Sequence, residues 1–229
     1  MKKNSLIQTL NNEKIAIFSY GRKNSKRCYN KLLRKFHNTT IVDILLDKLS
    51  KFENSYFGGY DREFEIKCKK HGVKFLKRSK KSVNIDYPIS ECLKFVNKID
   101  QEYLLLVNAC LPFLSIRTIN DFLNSVIKSN FNSASLLVRK DNYFFDKNKK
   151  PLNFSTKLKT LNTKQVSPLY EFGNALYFFK KDFFLKNNRY WDWNKVKYIT
   201  SDNKIELLDI DTEEDFLIVE SLWKNLNDK

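Results

Sequence analysis

Residues Tyr103–Val107 read YLLLV, an uninterrupted apolar run between Glu102 and Asn108. A strand with one wet face alternates apolar and polar side chains, whereas a strand that is apolar throughout is covered on both faces. Sheets covered in this way are mostly parallel, because the helical crossovers between parallel strands lie across both faces. The rest of the chain supplies such crossovers. Lys14–Phe18 (KIAIF) predicts a short buried strand. Thr40–Phe52 places Ile41, Leu45, Leu49 and Phe52 at helical spacing, with Thr39 or Thr40 as N-cap. Ser55–Gly58 reads as a second strand, Asp61–His71 as a polar helix ended by Gly72, and Val73–Leu76 as a strand. Ile85–Ile99 follows as a helix with Pro88 in its first turn. Beyond YLLLV come a helix over Ile116–Ile127, a strand over Ala134–Val138 and a hairpin over Tyr143–Leu152 turning near Asn148–Pro151. A strand at Leu176–Phe179, a short helix at Asp182–Lys186, a final strand at Ile205–Ile210 and a last helix at Glu213–Leu226 complete the series. The predicted class is α/β: a mostly parallel central sheet with helices on both faces. In such sheets ligands bind beyond the carboxyl ends of the strands.

The chain of 229 residues fits one domain over residues 1–229. Its 42% apolar content, with 19 Phe and 11 Tyr, is enough for a sizeable core. No apolar run approaches the roughly 20 residues that span a bilayer, and Met1–Glu13 lacks the apolar centre of a signal peptide. A cytoplasmic protein with no membrane partner is the expectation. Cys28, Cys68, Cys92 and Cys110 are scattered, and His37 and His71 stand apart from them. That spacing offers neither a zinc site nor a disulfide framework. The net charge of +16 suits polyanions, from phosphates to nucleic acid. Lysine, however, is spread over nearly every segment, so a solvated basic surface explains the charge at least as well as a nucleic-acid groove does.

Three strand ends carry chemistry. After the first strand, Ser19–Lys31 holds five cationic residues among thirteen, with a glycine, hydroxyls and amides between them. A triphosphate needs guanidinium and ammonium partners together with backbone N–H groups, and this loop offers all three. The spacing of a Walker loop is absent. YLLLV ends in Asn108-Ala109-Cys110-Leu111-Pro112, which also reads as a plain turn stopped by proline. The predicted last strand ends in Leu208-Asp209-Ile210-Asp211-Thr212-Glu213-Glu214-Asp215. On a strand, alternate side chains share a face, so Asp209 and Asp211 would converge on one ion, and their hard oxygens suit magnesium. Asp211 or Thr212 also fits as the cap of the helix that follows, with the acids in its first turn.

Arg22, Ser25, Lys26 and Lys31 fall in the register R-x-x-S-K-x-x-x-x-K, and Asp209–Asp215 reads D-I-D-T-E-x-D. Gly72 through Arg78 reads G-x-x-x-x-x-R, and Gly173-Asn174-Ala175-Leu176-Tyr177-Phe178-Phe179 is close to N-G-x-x-Y-x-F with its first two residues exchanged. In these motifs, over about residues 14 to 223, the chain resembles the cytidylyltransferases that make CMP-sialic acid and CMP-linked 3-deoxy sugar acids. The resemblance implies the Rossmann-like architecture of nucleotide-diphospho-sugar transferases. It implies CTP as donor, a small acidic acceptor and magnesium as cofactor. Arg22, Ser25 and Lys26 would hold the triphosphate, and Lys31 would neutralise the reacting phosphate. Arg78 would lie near the nucleotide, Asn108 would stand for a glutamine facing the acceptor, and Asn174 and Tyr177 would line the substrate site. Asp209 and Asp211 would bind the metal. A homodimer is implied too, with residues 139–169 as the extension reaching the partner.

The chain departs from this pattern at Lys23-Asn24, where the family has two glycines, and at Leu32, where it has an asparagine. It departs again at Gly59-Tyr60-Asp61, which replaces S-T-D. The aromatic group Arg189-Tyr190-Trp191-Asp192-Trp193 suits a ligand platform, a core or an interface. Three readings stay open beside the acidic-sugar transferase: transfer to another surface-polysaccharide precursor, an inactive nucleotide-binding relative, and a basic nucleic-acid-binding module.

Overall fold

The computed structural model describes residues 13–83, 87–127 and 131–228. The elements are β1 (Ile15–Tyr20), β2 (Lys35–Phe36), β3 (Thr39–Thr40), α1 (Ile41–Leu49), β4 (Ser55–Gly59), α2 (Arg62–His71) and β5 (Lys74–Lys77). They continue with α3 (Ile89–Cys92), β6 (Tyr103–Val107), α4 (Ile116–Ile127), β7 (Ser133–Lys140), β8 (Leu169–Lys180), α5 (Lys181–Asn187), β9 (Val196–Ser201) and α6 (Glu213–Asn227). Seven strands form one sheet in the order β5-β4-β1-β6-β8-β7-β9. The pairs β1–β4, β1–β6, β4–β5 and β7–β9 are parallel, and β8 runs antiparallel to both β6 and β7. The sheet is mostly parallel, as YLLLV implies, with one strand reversed.

Pleating sends alternate side chains to opposite faces. Ile15, Ile17, Leu105 and Val107 face the larger core, shared with α1, α2, α4 and α6. Ala16, Phe18, Leu104 and Leu106 face a second core, closed by Leu93, Phe95, Val96 and Phe184. Local chemistry sets the helix ends. The Thr40 hydroxyl accepts from the Asp43 N–H at 3.2 Å and starts α1. Gly72, at φ 72°, closes α2 in a left-handed conformation that a side chain would strain. Thr212 and Asp215 form a reciprocal capping box at the start of α6.

Three expectations are corrected. Ile205–Ile210 is not a strand: residues 204–207 turn and residues 208–211 run irregularly into α6. The strand that closes this edge of the sheet is β9, whose sequence VKYITS is only half-buried and carries no strong apolar signal. The helix expected over Ile85–Ile99 is only α3 followed by a 3-10 turn at Lys94–Lys98. Its predicted start at Ile85 lies outside the described residues. Pro88 sits before the first turn of α3 as its cap, and the packing of Phe95, Val96 and Ile99 onto the sheet overrides helical periodicity. The hairpin at Tyr143–Leu152 is reduced to a bridge between Phe145 and Pro151.

Candidate active site

A cavity of about 440 Å³ opens at the carboxyl ends of β1 and β6, where the open-sheet rule places ligands. The Ser19 hydroxyl donates to the Val107 carbonyl at 2.7 Å and ties the two strand ends together. The chain then leaves β1 at Gly21, whose N–H donates to the Gly58 carbonyl at 3.0 Å. A Cβ at Gly21 would lie 2.7 Å from Leu32 Cδ1 and 3.0 Å from Phe57, so the loop can pass here only as glycine. Leu32 is buried and forms part of the cavity wall, which explains an apolar residue at that position. Arg22, Ser25 and Lys26 line the cavity, as does Lys31 from the far end of the loop. Lys23 instead turns outward into an ion pair with Glu63.

Asp209 and Asp211 lie beside the cavity and outside its lining, on the irregular segment before α6, held by neighbouring groups rather than by a ladder. The Ile210 N–H donates to the Cys110 carbonyl at 3.1 Å, joining the segment to the turn after β6. The Asn108 amide donates to Asp209 Oδ2 at 3.0 Å and to the Asn174 carbonyl at 2.8 Å, while its oxygen accepts from the Cys110 N–H at 3.0 Å. The Asp215 carboxylate accepts from the Asp211 N–H at 3.1 Å and fixes that residue above the helix. Lys31 donates to the Ile210 carbonyl and lies 3.4 Å from Asp211 Oδ1. Arg27 pairs with the same Oδ1 at 2.8 Å.

The electrostatics follow from this crowding. Burial pushes the Asp209 pKa up, and Asp211 adds to it, outweighing the pull of Lys31 and the Asn108 hydrogen bond. Burial alone would lower Lys31, but Cys110, Asp211 and Asp209 outweigh it and its pKa is raised. Asp209 Oδ1 is buried with no hydrogen-bond partner. Two clustered carboxylates, one with a bare oxygen, suit a hard divalent cation that takes its remaining ligands from phosphate and water. Among the described residues there is no group of three or more His, Cys, Asp or Glu side chains that could hold a metal ion.

The other expected residues fall into two sets. Arg78 is on the cavity wall, but it is buried and engaged: it donates to the Gly21 carbonyl at 3.1 Å and to the Ser82 carbonyl, and it lies over the Tyr20 ring. It braces the loop that carries Arg22. Burial raises the Tyr20 phenol to about 12. Tyr177 also lines the cavity and donates to Asn174 Oδ1 at 3.0 Å. Asn174 adopts φ 48° and lies outside the first cavity, in the wall of a second one of about 390 Å³. The two cavities share Tyr177 and Tyr190. Phe172, Trp191 and Trp193 line the second cavity, and Arg189 is its cation. Arg27 and Cys110 are wall residues that sequence reasoning did not single out, and Tyr190, from the aromatic group, lines the wall as well. Arg27 was legible only as one more cation in a basic run.

A cation-lined cavity at the carboxyl ends of a mostly parallel sheet defines an open-sheet α/β protein with its ligand site where that class places it. Residues 20–226 match the cytidylyltransferase family, and the chain belongs to that family of enzymes, which act on CTP. No curated protein sequence matches it significantly. Solved structures share its fold. A CMP:2-keto-3-deoxy-manno-octonic acid synthetase complexed with CTP is 11% identical, with a TM-score of 0.66 over 93% of this chain and 99% of the other. A cytidylyltransferase from Leptospira borgpetersenii is 16% identical, with a TM-score of 0.59 over 91% and 85%. The 4-diphosphocytidyl-2C-methyl-D-erythritol synthase from Anaerococcus prevotii is 13% identical, with a TM-score of 0.62 over 94% and 99%. Among the described residues no helix is long and apolar enough to cross a membrane.

Proposed function

We propose that the chain transfers CMP from CTP to a small acidic acceptor, an acidic sugar of the sialic-acid type, and releases pyrophosphate. The observation that carries this is the Lys31 ammonium on the cavity wall, 3.4 Å from Asp211 Oδ1, with the unpartnered Asp209 Oδ1 two residues earlier in the chain. An acceptor hydroxyl oxygen attacks the α-phosphorus in line. Its bond to phosphorus forms as the bond to the β-phosphate oxygen breaks, and the hydroxyl proton passes to solvent. Little covalent chemistry falls to the protein, whose part is positioning and charge neutralisation. Lys31, held in place by the Ile210 carbonyl, faces the reacting phosphate. Arg22, Ser25 and Lys26 take the outer phosphates. Asp209 and Asp211 would hold magnesium, which when bound would neutralise phosphate oxygens and lower the pKa of the attacking hydroxyl. Asn108 orients Asp209 rather than leaving its amide free for the acceptor. The second cavity adjoins the first through Tyr177 and Tyr190, and Arg189 suits the acceptor's anion.

The chain works as a single domain over residues 1–229 and is cytoplasmic. Residues 139–169 reach a partner in a homodimer, in keeping with the exposed Phe145, Leu152 and Leu161 on that segment. The test is magnesium-dependent pyrophosphate release from each of the four nucleoside triphosphates, with a panel of acidic sugars, beside Asp211→Ala. Release confined to CTP, dependent on one acceptor and lost in the variant is the expected result. Release that needs no acceptor, or that survives in Asp211→Ala, would refute the assignment.

A further inference from the structure

The two cations on Asp211 Oδ1 are held very differently. Lys31 is 13% exposed at its side chain and anchored to the Ile210 carbonyl. Arg27 is 68% exposed at its side chain, and no other hydrogen bond holds its guanidinium among the described residues. It also lines the cavity where the triphosphate is placed. A guanidinium does not deprotonate, so it gives up a carboxylate only by moving. Exposed ion pairs are weak and break readily. Phosphate oxygens, in turn, match the planar guanidinium fork better than a single carboxylate contact does.

We propose that Arg27 is a mobile counter-ion that covers Asp211 until metal and CTP arrive, then swings from the carboxylate to the triphosphate. The idea rests on reading Asp211 as a metal ligand. It explains why a cation sits against an oxygen the metal must reach. It also gives one residue two opposite effects. Covering Asp211 works against metal binding, and moving to the phosphates works for nucleotide binding. A residue of purely structural role would weaken both or neither.

The experiment uses the full chain with Arg27→Gln, Arg27→Lys and Asp211→Asn. Manganese binding without nucleotide is read by electron paramagnetic resonance, and CTP binding at saturating manganese by calorimetry. Arg27→Gln should bind manganese about two- to fivefold more tightly, the range expected for removing an exposed pair. It should bind CTP about tenfold or more weakly, as for a lost charge-assisted hydrogen bond. Arg27→Lys should fall between Arg27→Gln and wild type for CTP. Melting temperatures near wild type are expected, given the exposure of the side chain. Equal manganese binding by wild type and Arg27→Gln, including none by either, overturns the proposal, as does a loss of affinity for both ligands. If wild type binds manganese and Asp211→Asn binds it equally well, the assignment of Asp211 as ligand fails instead.

Discussion

Replacing Asp209 with asparagine should raise stability while removing activity. The carboxylate is largely buried, Oδ1 has no hydrogen-bond partner, and burial together with Asp211 lifts its pKa above the ordinary carboxylate value of 3.8. The unfolded chain therefore ionises this group at lower pH than the folded one does. As pH climbs from 3.8 through the raised folded value, stability is lost, and at neutral pH the whole penalty is present. Asparagine keeps an acceptor for the Asn108 amide and carries no charge. Asparagine's amide NH2 takes the partnerless place of Oδ1, so the substitution relieves the buried charge and not the missing hydrogen bond; with Lys31 offsetting part of the charge penalty, the gain from Asp209→Asn is about 1–2 kcal/mol. For a chain of this size each kcal/mol moves the melting temperature by about 2–4 °C, so the variant should melt about 2–8 °C higher at pH 7. The advantage should close as pH falls toward 4, where the wild-type carboxyl takes up its proton. Pyrophosphate release should drop on the order of a hundredfold or more, because metal-held charge stabilisation is worth several kcal/mol. Melting curves from pH 4 to 8 beside turnover assays test both halves. A variant that melts below wild type at pH 7, or an advantage that widens toward pH 4, would refute the reasoning.

Two further outcomes follow from the parts that support the site. Burial lowers the Lys48 pKa to about 8, although its ammonium donates to the Leu111 and Pro112 carbonyls in the turn after β6. The unfolded chain thus holds more protons between pH 8 and the ordinary lysine value of 10.5, so the stability of wild type relative to Lys48→Met should rise across that window, read as melting-temperature differences at pH 7, 8, 9 and 10. Phe36 is fully buried and meets Phe216 edge-on at 5.4 Å and Trp223 at 5.8 Å, pinning α6 to the loop from β1. Phe36→Ala should cost about 3–5 kcal/mol, a fall of about 6–20 °C in melting temperature, whereas Phe36→Leu should cost well under half of that.

The legible parts of this chain are those where local chemistry and burial agree. YLLLV, the Thr40 cap and Gly72 each specify their element without help from distant residues, and the sheet's class follows from the first of them. The segment Ile205–Ile210 misleads because its apolar residues serve a different purpose. Ile210 is buried under α6, and Leu207 and Leu208 pack against the same core, but the backbone is fixed by Cys110 and a turn rather than by a neighbouring strand. Periodicity records burial, not the identity of the hydrogen-bond partner, and the two diverge here. The edge strand β9 is missed for the converse reason, since Val196–Ser201 has a ladder but little burial. Asn108 holds the Asp209 carboxylate and Asp215 holds the Asp211 backbone, so both aspartates are fixed by side chains of other elements and not by the strand geometry invoked for them. The same limit hides Arg27. A basic run shows that charge is present near phosphate, but only the folded loop separates the anchored Lys31 from the exposed arginine that shares its carboxylate oxygen. Conformational freedom at one end of an ion pair is a property of packing, and packing is what a linear pattern of cations leaves out.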